Sequence, residues 1–292
     1  MPAASWFIVV WLAVLGTAIG SFLNVVVWRL PRGESLLEPP SHCPKCGHPI
    51  RWYDNVPIVS WLLLRGRCRD CGTAISARYP LVEAACGASF LVLAILECGM
   101  QGINLPARQP MVTNDVILTF GWSGRELYGV FLFHQLLWCT LLAGGLIEYD
   151  GYRARWRLYV PVLVGAAVAG SALPMLYPVP AWQGVAGWYA GMATGAAGLG
   201  AGALFGGLLS RWEPVPHRNG VWLGFIGIGA VLGWQAASGL AILTLFWQLW
   251  ATILGRRIAA VRRVPTSLAL VVLCFAWIAT WSLLVEWIPW LG

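Results

Sequence analysis

The sequence predicts an all-α polytopic membrane protein of about eight transmembrane helices, with a small four-cysteine, zinc-type insert near its N-terminus. Hydrophobic residues make up 59% of the 292 residues and charged residues only 11%, and the mean hydropathy is +0.70. A soluble domain of this size carries about 25% charged residues, so the composition excludes a soluble fold. Many of the 19 tryptophans flank apolar runs, as expected of anchors at a membrane interface.

Eight apolar runs predict the transmembrane helices. They cover roughly residues 6–27, 81–98, 129–147, 159–177, 186–208, 221–236, 240–255 and 267–285. The first run is too long for a cleavable signal peptide and follows no basic segment, so we interpret it as a retained first helix, 1–27. Residues 28–80 then form the insert, and residues 81–292 form a membrane domain of about seven helices.

The basic residues predict the orientation of the chain in the membrane. Seventeen of the 19 lysines and arginines fall in alternate loops: the insert and the loops after the third, fifth and seventh runs. The other two, Arg108 and Arg125, fall in the 99–128 loop. Positive-inside bias therefore predicts a cytoplasmic insert and both termini outside. Because these charges lie in short loops, we interpret the net charge of +7 as contact with the lipid bilayer, and no nucleic acid is expected.

Two C-x-x-C knuckles in the insert predict a metal site. They are Cys43-Pro-Lys-Cys46-Gly and Cys68-Arg-Asp-Cys71-Gly, separated by 21 residues. Four thiolates suit a tetrahedral structural zinc ion with no open position for catalysis. A reducing cytoplasm argues against disulfides. Unmetallated knuckles, or a hybrid site that uses His42 or His48, are the alternatives. A 53-residue insert with few core-sized side chains is expected to need the metal to fold.

The N-terminal third of the chain resembles the bacterial type IV prepilin peptidases, which are A24-type aspartic peptidases. The match is dense through residues 16–87 and rests on Gly20-Ser-Phe-Leu-Asn-Val-Val-Val-Trp-Arg-Leu-Pro31, the first knuckle, Ile50-Arg-Trp-Tyr-Asp-Asn-Val-Pro57, Ser60-Trp-Leu, Leu64-Arg-Gly-Arg-Cys68 and Ile75-Ser-Ala-Arg-Tyr-Pro-Leu-Val-Glu83. Members of the family are bifunctional leader peptidase/N-methyltransferases of type IV pilus and type II secretion systems.

The resemblance implies an enzyme of the bacterial inner (plasma) membrane. Such an enzyme cleaves the short basic leader of prepilin-like or pseudopilin substrates at the cytoplasmic membrane face, using two membrane-embedded aspartates. It then methylates the new N-terminus with S-adenosylmethionine. No glycine-rich cofactor fingerprint occurs in the sequence, so this cofactor is implied by the resemblance alone.

The resemblance also locates the two catalytic aspartates, and both are replaced. Residues 147–150 have the spacing of the family's Ile-Asp-x-Asp segment, and residues 229–236 match the stretch after its Gly-x-Gly-Asp-x-Lys motif. This alignment puts Glu148 at the first aspartate, Val221 at the second, and Asp150 at the other acidic residue of the first segment. Glu148 and Asp150 are therefore the candidate catalytic residues.

Valine cannot carry a proton, so the dyad in its familial form is broken at Val221. Glu213, in the loop before Val221, could instead pair with Glu148 or Asp150, and His217 in the same loop could act as a base, although loop residues of this kind are commonly just solvated. Glu148 and Asp150 could likewise form a neutralised cluster with nearby arginines. The added methylene of Glu148 would also misplace a carboxyl by about 1.5 Å, enough to reduce catalysis by orders of magnitude.

Two functions follow, and a third is less well supported. The first is a prepilin leader peptidase/N-methyltransferase that runs with a displaced carboxylate pair. The second is a catalytically inactive family member that acts as a zinc-stabilised pilin-binding or regulatory membrane protein. A transporter is disfavoured because the ionisable residues of the apolar runs, Glu83, Glu97 and His134, are expected to lie singly or near helix ends.

Overall fold

The computed structural model describes residues 3–106, 122–173, 176–179, 188–255, 257–258, 261 and 264–288. Within these ranges the regular secondary structure is helical and contains no strand, which confirms the predicted all-α class. The chain divides into two compact units, residues 3–94 and residues 95–292. The first unit therefore contains the insert together with the helices on both sides of it.

The N-terminal unit contains two long helices that flank the insert and one short helix within it. They are α1 (Ala3–Arg29), α2 (Val59–Leu63) and α3 (Arg78–Leu93). The long helices α1 and α3 pack antiparallel, because Gly16 lies against Phe90 while Gly20 lies against Glu83. A Cβ atom at Gly20 would stand 2.7 Å from the Glu83 Cα atom, so this close approach of the two backbones requires glycine.

The C-terminal unit begins with a π-helical turn, Ala94–Gly99, that continues α3. Its helices are α4 (Trp122–Tyr149), α5 (Val160–Ala172), α6 (Trp188–Ser210), α7 (Arg218–Leu254) and α8 (Thr266–Trp287). Across the described part of the chain, six helices are long and apolar enough to cross a membrane. Each of the eight predicted runs coincides at least in part with a helix. The predicted number of eight spans is nevertheless approximate, because two of the runs lie in α7 and a third corresponds to the short helix α5.

The sixth and seventh predicted runs correspond to two helical segments that follow each other directly and are together labelled α7. The chain reverses its direction between them, at Gly233. Trp222 lies against Gly206, whereas the Gln248 amide nitrogen donates to the carbonyl of Leu209, only three residues further along α6. A straight helix would separate Trp222 from Gln248 by about 39 Å. The reversal occurs at Gly233, whose φ of 86° lies in the left-handed region. The predicted loop at 237–239 is wrong, since those residues are helical.

Two other predicted segments differ from the structure or fall outside it. Among the described residues of the fourth run, predicted over 159–177, the α-helix α5 covers the 13 residues Val160–Ala172. That helix is about 20 Å long, which is shorter than the hydrocarbon core of a bilayer. Of the predicted 99–128 loop, residues 107–121 lie outside the described ranges, and α4 already begins at Trp122.

Several helix ends of the C-terminal unit meet at one end of the bundle. Gly145, near the end of α4, packs against Leu268 at the start of α8. The bond from Gln248 to Leu209 joins the last turns of α7 and α6. The loops that follow α4, α6 and α7 therefore share this end, and they are the loops predicted to carry the basic residues of this unit. The side of the membrane on which they lie stays a prediction.

Candidate metal centre and carboxylate site

The four cysteines of the insert meet in space. The sulfur atoms of Cys43, Cys46, Cys68 and Cys71 all lie within 4.8 Å of one another, and those of Cys43 and Cys71 are 3.8 Å apart. A tetrahedral zinc ion with Zn–S bonds of about 2.3 Å separates its sulfur ligands by about 3.8 Å. None of these four cysteines forms a disulfide. The donor set therefore fits one four-coordinate metal ion.

The two knuckles have the same local backbone structure. The N–H of Gly47 donates to the Cys43 carbonyl and the N–H of Gly72 to the Cys68 carbonyl, both at 2.9 Å. Both glycines have left-handed φ angles, 71° and 68°, that a side chain would strain. Backbone N–H groups of Cys46 and Lys45 lower the pKa of the Cys43 thiol to about 6. A thiolate, which is the form that binds metal, is thus favoured near neutral pH.

Ion pairs connect the second knuckle to the segment between the knuckles. The Arg69 guanidinium donates to both oxygens of Asp54, at 2.8 and 2.6 Å, and Arg51 donates to Asp70 at 2.9 Å. Arg69 and Asp70 are the two central residues of the Cys68–Cys71 knuckle. The Arg69 hydrogen bonds hold the pKa of Asp54 below its usual range, so Asp54 is ionised at neutral pH.

A hydrogen bond to Glu83 connects the insert to α3. The Glu83 carboxylate is buried and accepts the Ile58 N–H at 2.6 Å, immediately before α2. Ile58 has a φ of 62°, a strained conformation for a β-branched residue. At the other end of α2, the Trp61 indole donates to the Ile75 carbonyl at 3.0 Å. Glu83 therefore has a structural partner.

Glu148 lies at the end of α4 with its side chain fully buried. One carboxyl oxygen accepts the Gly220 N–H at 2.6 Å, and the other accepts the Ser267 hydroxyl at 2.7 Å. These bonds join the ends of α4, α7 and α8. A Cβ atom at Gly220 would overlap the Glu148 carboxyl group, which explains why glycine stands there.

The other two positions located by the sequence lie in different environments. Val221, which the resemblance aligns with the family's second aspartate, follows Gly220 and is completely buried. Asp150 lies one residue beyond the end of α4 and is exposed. The Glu148 carboxyl group is therefore contacted from α7 through Gly220, from α8 through Ser267, and by the backbone of Ala154 in the loop after α4.

A second carboxylate, Glu213, is bound at the same end of the bundle. It is half-buried in the turn after α6. Its Oε1 atom accepts the Gln248 amide at 2.9 Å and the hydroxyl of Thr266. Thr266 directly precedes Ser267, so two consecutive hydroxyls at the start of α8 donate to two different carboxylates. Sequence reasoning proposed Glu213 only as an alternative and missed Thr266 and Ser267, whose signal is a pair of hydroxyl residues that follow a proline at a helix start.

The expectation that Glu97 and His134 are isolated is wrong. The Glu97 carboxylate lies 2.7 Å from His134 Nδ1 and accepts the Asn104 amide at 3.1 Å. Asn104 also donates to the Ile278 carbonyl at 2.9 Å. All three polar side chains are buried. His134 precedes Glu148 by 14 residues along α4, or about 21 Å, so this network is separate from the carboxylate site.

These features define a helical, membrane-type protein with a thiolate metal centre in one unit and two hydroxyl-bound carboxylates in the other. The model of the Bacterial Peptidase A24 N-terminal domain matches residues 14–96. A prepilin leader peptidase/N-methyltransferase of Dickeya chrysanthemi is 33% identical over 285 residues, covering 87% of this chain and 86% of that protein. A protein of the same name from Stutzerimonas stutzeri is 30% identical, covering 76% and 88%.

The chain belongs to the prepilin leader peptidase/N-methyltransferase family. A Myxococcus xanthus member is 57% identical over 81 residues, but the match spans only 28% of this chain and 24% of that protein. No solved structure matches the chain. The shared family does not settle the reaction of this chain.

Proposed function

We propose that this protein removes the basic leader of prepilin-like or pseudopilin precursors at the cytoplasmic face of the bacterial inner membrane, with Glu148 as a catalytic carboxylate. The observation that carries the proposal is the placement of Glu148. It stands at the family's first aspartate position and is held through both oxygens by Gly220 and Ser267. Fixed orientation is what a catalytic carboxylate requires, since misplacement by about 1 Å costs about 100-fold in rate.

The proposal also includes a structural zinc ion bound by the insert and contact between the insert and lipid headgroups. The four thiolates of the insert would hold zinc and fold the polypeptide around it, and the zinc supplies no chemistry to the cleavage. Trp52, Leu62 and Leu63 are exposed apolar side chains of the insert, and Arg65 beside them is exposed and basic. This composition suits contact with the headgroup region of an anionic bilayer.

Methyl transfer from S-adenosylmethionine is the second proposed activity, and it rests on the names of the relatives. None of the polar networks of the described residues identifies a cofactor cradle. We therefore assign no residue and derive no step for the methylation.

The test uses the full-length protein in proteoliposomes, with a purified prepilin that carries a basic leader. Mass spectrometry detects leader removal, and labelled S-adenosylmethionine detects methyl transfer separately. We expect leader removal by the wild type and its loss in Glu148→Gln, which keeps the side-chain volume and one hydrogen-bond acceptor. The exposed Glu286→Gln is the matched control and should cleave normally.

A second candidate function is prepilin binding without cleavage. It is favoured by the buried Val221 at the second aspartate position and by the complete burial of Glu148, which then acts only as a clamp between helices. Under this function the wild type would co-purify with the prepilin in a ratio near one to one and leave the leader intact. That result would contradict the proposed peptidase.

A further inference from the structure

The family's second carboxylate position is lost at Val221, yet the same end of the bundle binds another acidic side chain. Glu213 lies in the turn after α6, eight residues before Val221 in the sequence. Its contacts come from α7, through Gln248, and from α8, through Thr266. Glu213 closely follows α6, and α7 and α8 supply its hydrogen-bond donors. Three helices therefore hold a side chain that the sequence alone places in a loop.

The hydroxyls of α8 relate this carboxylate to Glu148. Thr266 donates to Glu213 while its neighbour Ser267 donates to Glu148, and both hydroxyl residues are buried. Consecutive Cα atoms are only about 3.8 Å apart, so the two carboxylates bind at adjacent positions of one helix end. The N-terminus of an α-helix also favours negative charge, which lowers the cost of holding two acidic groups there.

We infer that Glu213 supplies the second carboxylate of the peptidase centre, in place of the aspartate that Val221 has replaced. This inference rests on the proposed function. Both donors to Glu213 among the described residues reach Oε1, and the side chain is half-exposed, so Oε2 can contact a water molecule. Glu148 is fully buried and Glu213 is not, so the two carboxyl groups stand in different environments, as an acid and a base require.

The chemistry needs the two carboxyl groups to carry one proton between them. The ionised group takes a proton from water, and the resulting hydroxide adds to the carbonyl carbon of the scissile peptide. The protonated group donates its proton to the carbonyl oxygen. Collapse of the tetrahedral intermediate breaks the C–N bond: the carboxyl group that took the proton from water passes it to the leaving amine, and a hydroxyl of the intermediate returns its proton to the other carboxylate, which restores the starting pair. The net reaction consumes one water and needs no other reactant.

Leader-cleavage kinetics test the assignment of Glu213 against that of Asp150. We expect Glu213→Gln to lower kcat by about 100-fold or more with KM little changed, and to remove one limb of a bell-shaped pH–rate profile. Asp150→Asn, at the other candidate that the resemblance locates, should keep both limbs of the profile and lose less activity than Glu213→Gln. Glu286→Gln is again the exposed control. Loss of activity in Asp150→Asn, with Glu213→Gln fully active, would overturn the inference and assign the role to Asp150.

A proximity measurement keeps the inference testable if the wild type does not cleave. Cysteines introduced together as Glu148→Cys and Glu213→Cys should be joined by a short bifunctional thiol reagent that spans the length of the two lost side chains, identified as a linked peptide by mass spectrometry. The matched control, Asp150→Cys with Glu213→Cys, should link at least tenfold less. Absent cleavage with efficient linkage would contradict the proposed function and leave the carboxylate pair in place. Absent linkage would contradict the pair itself.

Discussion

The two units of this protein differ in how closely they follow the pattern of their family. In residues 3–94, the signature residues take part in defined contacts: Gly20 permits helix packing, Glu83 binds the insert, and the four cysteines converge. In residues 95–292, Glu148 and Gly220 remain partners, but Val221 has removed a carboxylate.

The difference has a physical reason. A small metal-folded insert depends on each ligand and each turn glycine, because few other contacts can replace them. A helical bundle brings several helix ends together at its surface, so a residue from another loop can reach the same place. Glu213 does so through the Thr266 hydroxyl at the start of α8 and the Gln248 amide of α7. A lost side chain is therefore more easily replaced in the second unit than in the first.

Removal of the metal should have the largest effect, and it should be confined to the first unit. Cys43→Ser, or a zinc chelator, is expected to make residues 30–77 sensitive to protease while residues 95–292 stay resistant. Structural zinc sites contribute about 10 kcal/mol or more to folding of small domains, so partial loss is not expected. Limited proteolysis with peptide mapping measures this, and added zinc should restore the chelated protein but not Cys43→Ser.

Uniform resistance of both units after chelation would contradict this account. Cys86→Ala serves as a control for loss of a buried thiol outside the cluster, since Cys86 lies in α3. We expect this variant and the wild type each to bind one zinc ion per chain when the metal is quantified by mass spectrometry.

The buried Glu97 network should give the next largest effect, and it should appear in the second unit. Glu97→Ala leaves His134 and Asn104 without their carboxylate partner in the interior. We expect a loss of about 3 kcal/mol in the free energy of unfolding, because breaking a buried pair strands the remaining polar groups. Glu97→Gln should lose clearly less. Equal stability of Glu97→Ala and wild type in denaturant titrations would show that the network does not stabilise the unit.

Alanine substitution should disturb the packing of α6 against α7 at Gly198 but not at Gly200, two residues further along α6. A Cβ atom at Gly198 would overlap the backbone of Gly229, whereas one at Gly200 would meet open space. We expect Gly198→Ala to cost about 2 kcal/mol, since overpacking forces the two backbones apart. Gly200→Ala should be neutral or slightly stabilising. Thermal unfolding of the two variants side by side measures the difference, and equal midpoints would contradict this packing.

The smallest effect is expected from the ion pairs of the insert. Asp54→Asn removes the charge that Arg69 contacts, but Arg69 is half-exposed, so solvent already screens the pair. The zinc-bound insert should keep its fold and its metal, with only slightly faster proteolysis. Loss of zinc in this variant would show that the ion pairs, and not the thiolates, hold the knuckles together.

The features that could be predicted from the sequence are those that short sequence patterns encode. The apolar runs gave the helices and the knuckle spacing gave the cysteine cluster, because both signals are short in sequence. Sequence reasoning could not place Glu213 beside Thr266, which lies 53 residues further along the chain. It also separated Glu97 from His134, since a pair formed between two helices leaves no periodic signal. It predicted a reversal between the sixth and seventh runs but placed it at 237–239 instead of Gly233, because the turn is made within a continuous apolar stretch.

The most direct test of a rebuilt carboxylate pair is a double-mutant cycle of leader cleavage with Glu148→Gln and Glu213→Gln. Residues that act as one unit are strongly non-additive. The account predicts that each single substitution lowers the rate by about 100-fold or more, and that the double variant is no slower than the singles. Cleavage at the wild-type rate by Glu213→Gln, or losses that multiply in the double variant, would contradict it.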